Sequence, residues 1–145
     1  MAFAMTMAFA LLVVGRVAGA HDHATGIVKE RMEAMERMGK AMKAISQRIQ
    51  SKRDLESIKQ NAQLIQSLAV NIPALFPKGS MQHPTEARLQ IWERWSDFEC
   101  KAQRLQSESN QLATTDISDL SVLTAQVAEV SKICSGCHEA YRLKK

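Results

Sequence analysis

Apolar residues recur along this chain with a helical period, in four stretches separated by three polar or proline-rich breaks. In the first stretch Val28, Met35, Met42 and Ile49 repeat every seven residues, with Arg31, Met38 and Ile45 on the alternate stripe position. The second runs Leu55, Ile58, Ala62, Ile65, Ala69 and Ile72, and stops at Pro73, which cannot continue a helix. Pro84 suits the first turn of a third helix, whose stripe is Ile91, Trp95, Phe98, Ala102, Leu105 and Leu112. The fourth stripe is Leu120, Leu123, Val127, Val130, Cys134, Cys137 and Tyr141, with Thr115 or Ser118 as its cap. The breaks fall at Gln50 to Asp54, Pro73 to His83 and Asn110 to Ser118. Helices of about 19 to 28 residues with short first and third connections predict an all-α, antiparallel up-down-up-down four-helix bundle. Such a bundle needs only a filled core, so the stripes by themselves carry no function.

Residues 1–20 follow different rules. They hold no acid and one base, Arg16, and an apolar run from Ala8 to Val14 leads into Val17-Ala18-Gly19-Ala20. Small residues at those positions fit signal-peptidase cleavage after Ala20, and the run is short for a membrane span. The expectation is a signal peptide over 1–20 and a mature exported domain over 21–145, with a periplasmic location and no membrane span once the signal is removed. The new terminus would read His21-Asp22-His23, a sequence able to wrap Cu(II) in nitrogen ligands but more simply a polar end.

Composition then narrows the function. One domain is the natural reading of 145 residues, and 46% hydrophobic with 6 Gly and 3 Pro excludes a disordered or low-complexity chain. A net charge of +4 without a long basic run, and 5% aromatic residues, argue against nucleic-acid binding.

The chemistry concentrates in Cys134-Ser135-Gly136-Cys137-His138. In an exported protein, C-x-x-C-H reads as c-type haem attachment: each thiol adds across a porphyrin vinyl group and the His supplies the proximal axial nitrogen. Composition alone gives ~0.002 chance matches to this pattern. A thioredoxin-like dithiol needs a βαβ context that the pattern lacks, and a zinc site needs a second ligand pair. Cys134 and Cys137 both lie on the inner stripe, so one covalently held haem c would enter the core between helices.

The sixth iron ligand is less constrained by spacing. Of the five Met in residues 21–145, Met32, Met35, Met38 and Met42 fall within eleven residues, and soft core filling accounts for most of them. Met35 lies mid-stripe in the first helix. Arg31 occupies a stripe position where an unpaired charge is costly; a haem propionate is one partner and a solvent-facing bundle end the other. Trp92, Trp95 and Phe98 line the core or the haem edge. Cys100 falls about 170° from the centre of its stripe at ~100° per residue, so it faces outward, as a role-free thiol or an intersubunit disulfide. Arg142, Lys144 and Lys145 make a small basic end that either frays or orients an acidic partner.

These residues together resemble the class II c-type cytochromes, the cytochrome c prime family. The likeness spans essentially residues 21–145. It rests on Cys134, Cys137, His138, Tyr141 and Arg142, on Arg31 with Met35, on the connector Pro73 to Pro77, and on Ile91-Trp92. The resemblance implies His138 as proximal ligand, Arg31 near a propionate and Arg142 beside the proximal His. It also implies Met35 as distal ligand, because low-spin members carry Met four residues after the helix 1 arginine. High-spin members carry a non-ligating apolar residue there and leave the iron open to nitric oxide or carbon monoxide. Met/His ligation stabilises Fe(II) relative to His-only sites. The resulting expectation is a periplasmic one-electron carrier, not an enzyme, serving redox partner proteins. A gas-binding haem protein is the alternative, and a homodimer is possible. Peroxidase chemistry is disfavoured, because no distal His or Arg acid/base pair is evident.

Overall fold

A computed structural model describes residues 24–144. The signal peptide expected over residues 1–20, the expected His21-Asp22-His23 terminus and Lys145 lie outside the described residues. The elements are α1 (Gly26–Ser51), α2 (Glu56–Val70), a 3-10 turn (Pro73–Leu75), α3 (Gln90–Glu93), α4 (Trp95–Thr114) and α5 (Leu120–Tyr141). Neighbours close a ring, with α1 on α2, α2 on α4, α4 on α5, and α5 returning to α1. Only residues 52–55 separate α1 from α2, and 115–119 separate α4 from α5, so each of these pairs must run antiparallel. Lys52, in the left-handed region at φ 53, ends α1 and turns the chain.

The α2, α4 and α5 stripes are the predicted ones. Ile58, Ala62, Ile65 and Ala69 of α2 meet Phe98, Ala102, Leu105 and Leu112 of α4, and Leu123, Val127, Val130 and Tyr141 of α5 complete the core. Leucine- and isoleucine-sized side chains at 0% exposure (Ile45, Ile58, Ile65, Leu112, Leu123) each contribute about 2 kcal/mol of burial. α1 and α5 barely meet, and a cavity separates them.

Three expectations are corrected. Pro84 does not open a helix. It follows a cis peptide bond, and the segment after it is pulled into extended pairing with the chain end. Arg88 N donates to Tyr141 O at 3.0 Å, Leu143 N donates to Glu86 O at 2.8 Å, and Ala87 bridges Arg142. The third helix therefore starts at Gln90, and it breaks at Arg94 (φ −123, ψ 46), where α3 hands over to α4. The last helix is capped by neither Thr115 nor Ser118: α4 continues through Thr114, and the Asp119 side chain accepts from Ser121 N and Val122 N. Finally, Met35 is not at the middle of the buried face of α1. Ala34, Met38, Ala41 and Ile45 hold that place, while Met35 and Met42 are half-buried on its flank.

Candidate haem site

The flank that carries Met35 faces the cavity. This space has a volume of about 540 Å³, and Cys134, Cys137, His138, Met35, Arg31 and Arg142 all line it. α5 supplies the attachment face: Cys134 and Cys137 are half-buried free thiols one turn apart, and His138 stands exposed at the rim. α1 supplies the opposite wall with Met32, Met35, Met38, Gly39 and Met42, and α4 supplies Phe98, Lys101, Ala102 and Leu105. The connector closes one end with Phe76, Pro84 and Thr85.

The electrostatics fit a thioether-tethered group. Burial pushes the Cys134 thiol up and the Cys137 thiol to about 11, so both stay protonated in an apolar setting. Partial burial and the nearby Arg142 guanidinium hold the His138 imidazole below its usual value, which favours the neutral, ligating form. Arg142 in turn pairs with Glu86 at 2.6 Å.

Arg31 is 4% exposed and spans the floor of the connector. Its Nε donates to Leu75 O (3.0 Å), Nη1 to Thr85 Oγ1 (2.8 Å), and Nη2 to both Ser80 O (3.1 Å) and Ser80 Oγ (2.6 Å). Its guanidinium carbon sits 4.2 Å from the centre of the Phe76 ring. The solvent-facing alternative for this residue is thereby excluded, and a propionate is not needed to account for its burial. Four of its five N–H groups are committed to neutral oxygens; one on Nη1 remains, and the charge itself meets no acid among these partners.

The aromatic residues divide. Phe98 lines the cavity and packs against Phe76 (4.9 Å), Trp95 (5.5 Å) and Tyr141 (5.4 Å). Trp92 lies outside the lining and donates from Nε1 to Phe76 O at 3.0 Å. Cys100 is exposed, as its helical position required. Ser80, Thr85, Glu86 and Asp97 were missed by sequence reading. The first three sit in an aperiodic connector, and Asp97, which accepts from Tyr141 Oη, is 44 residues away from that partner in sequence. Only the polar character of those connector positions hinted at a role.

A roughly 540 Å³ apolar chamber, two free thiols on one wall with a neutral imidazole beside them, and thioethers opposite define a c-type haem protein built on a four-helix bundle. The cytochrome c' family model matches residues 26–142, and the chain belongs to that family. It is 31% identical over 122 residues to a cytochrome c-556 of Agrobacterium tumefaciens (strain II Chrys), covering 83% of this chain and 99% of that one. A nitric oxide complex of a variant cytochrome c prime from Alcaligenes xylosoxidans is similar at TM-score 0.73 and 30% identity, covering 82% of this chain and 94% of that one. Cytochrome c' from Thermochromatium tepidum shares the fold at TM-score 0.75 and 19% identity, over 81% and 95% of the two chains. Members of the family carry one covalently attached haem c and act as electron carriers or gas binders. Among the described residues no helix is long and apolar enough to cross a membrane.

Proposed function

We propose that this cytochrome is a periplasmic one-electron carrier whose iron is held by His138 on α5 and Met35 on α1. The position of Met35 carries the reading. Seven residues of α1 face the cavity, from Arg31 to Met42. At ~100° per residue, their mean direction falls about 10° from Met35 and about 70° from Met38. Met35 is also near the middle of the seven along the axis. It is the thioether best placed to point across the chamber at the imidazole wall, while Met38 is drawn into the packed core. Haem c supplies an Fe(III)/Fe(II) couple when bound, and a soft sulfur ligand favours the reduced form. The chain's own part is to clamp that couple between two helices and to exclude water with Phe76, Phe98 and Ile91. Arg31 retains one N–H and an uncompensated charge suited to a propionate carboxylate.

Optical spectroscopy tests this reading. The haem-loaded protein should give sharp, split α and β bands when reduced and a weak oxidised band near ~695 nm, an approximate marker of Met–iron bonding. Met35→Ala should turn this into a broad high-spin spectrum that shifts with carbon monoxide, and Met38→Ala should leave it intact. A wild-type spectrum that is already broad and gas-sensitive would refute the carrier and favour the gas-binding behaviour seen in the nitric oxide complex of the Alcaligenes protein. A switch produced by Met38→Ala would refute the ligand.

A further inference from the structure

We propose that Lys101, positioned by Asp97, is an electrostatic element that sets the reduction potential of the haem site from its Cys137 side. Asp97 and Lys101 stand one turn apart on α4, with Lys101 Nζ 3.6 Å from Asp97 Oδ1. The other carboxylate oxygen of Asp97 accepts from Tyr141 Oη and lies 3.8 Å from Arg94 Nη2. Tyr141 is 3% exposed and belongs to the same helix as Cys137 and His138. The ion pair is therefore hitched through a buried phenol to the helix that bears the haem attachment residues.

Three cationic side chains line the cavity. Arg142, beside His138, is paired with Glu86 at 2.6 Å, and Arg31 is enclosed by neutral oxygens at the far, connector end. Lys101 reaches the cavity from α4, and its partner Asp97 is bonded to Tyr141, one turn beyond Cys137 on the attachment helix. Its Asp97 contact is long, and its side chain is 34% exposed, so its charge is only partly cancelled. A positive charge at the edge of a low-dielectric site favours Fe(II), and a negative one favours Fe(III). The two halves of this pair must then act with opposite signs.

The inference requires a haem at Cys134 and Cys137 but not a particular sixth ligand, so it fails separately from the Met35 assignment. The test is a spectroelectrochemical titration of the haem-loaded full chain and of Lys101→Gln, Lys101→Arg and Asp97→Asn. Lys101→Gln should lower the equilibrium constant for reduction by on the order of threefold, and Asp97→Asn should raise it by a similar factor. Lys101→Arg should restore the wild-type value, and the optical bands should be unchanged throughout. A merely structural role would admit water and move both neutralising variants the same way. Shifts of one sign, or no shift in either, overturn the proposal.

Discussion

Replacing Arg31 by Met probes how the connector that closes the cavity is held. The guanidinium makes four hydrogen bonds between 2.6 and 3.1 Å to Leu75, Ser80 and Thr85, all from a side chain 4% exposed. Met fills part of the volume but donates nothing. The two hydroxyls can turn to other acceptors, whereas the carbonyls of Leu75 and Ser80 are left without this donor. Each unsatisfied buried acceptor costs roughly 1–3 kcal/mol. The loss of the Phe76 contact adds up to about 1 kcal/mol, and removal of a buried charge from its desolvated site returns some of the sum. The expected net loss is about 3 kcal/mol, a large share of the roughly 5–15 kcal/mol that holds a domain together. Denaturant titration of haem-loaded protein by far-UV circular dichroism measures it. Hydrogen exchange should localise the damage to amides 75–85, and Trp92 fluorescence should report the release of Phe76 O. Arg31→Lys should be intermediate, because a lysine keeps the charge but offers only three donors without the planar fork. A loss below about 1 kcal/mol with the connector amides still protected would refute this account, leaving Arg31 as a cofactor contact alone.

Two predictions concern pH. Burial and the hydrogen bond to Asp97 push Tyr141 up to about 12 in the folded chain, against about 10 when unfolded. The unfolded state therefore releases its proton first, so stability should fall as pH rises from about 10 to about 12. As the sole tyrosine, Tyr141 accounts for all the phenolate absorbance that follows this titration, and an ionisation midpoint near 10 in folded protein would contradict it. Asp119 has the opposite sign. Hydrogen bonds from Ser121 and Val122 lower its carboxyl below 3.8, so its contribution is present above that value and disappears as pH falls through the lowered one. Asp119→Ala should reduce Tm by a few degrees at pH 7, with the gap to wild type closing below about pH 4. An equal gap at both pH values would mean that the cap is not acting as a charged acceptor.

The bundle could be read from periodicity because buried faces must repeat every 3.6 residues whatever surrounds them. Val127, Val130 and Tyr141 on α5 are buried for that reason, and Cys134 and Cys137 followed by arithmetic. What periodicity could not supply was anything decided by contact across the chain. Pro84 carries a helix-start signal, yet Glu86 and Arg88 are claimed by the backbone of Tyr141 and Leu143. Arg31 had to have partners, but nothing local distinguished a propionate from Ser80 and Thr85, which reach it from 49 and 54 residues away. Met35 stands off the centre of the packed face because two surfaces compete for α1: the other helices take Ala34 and Ala41, and the cavity takes the flank.

The sparse contact between α1 and α5 gives the bundle one loose seam and three tight ones. A flat, rigid guest can be seated sideways along that seam while α2 stays zipped to α4, so loading need not undo the rest of the barrel of helices. Once stitched to α5, the guest fills the space between that helix and α1, which otherwise packs mainly on α2. Three seams are thus closed by the chain itself, and the fourth is left for its pigment to close.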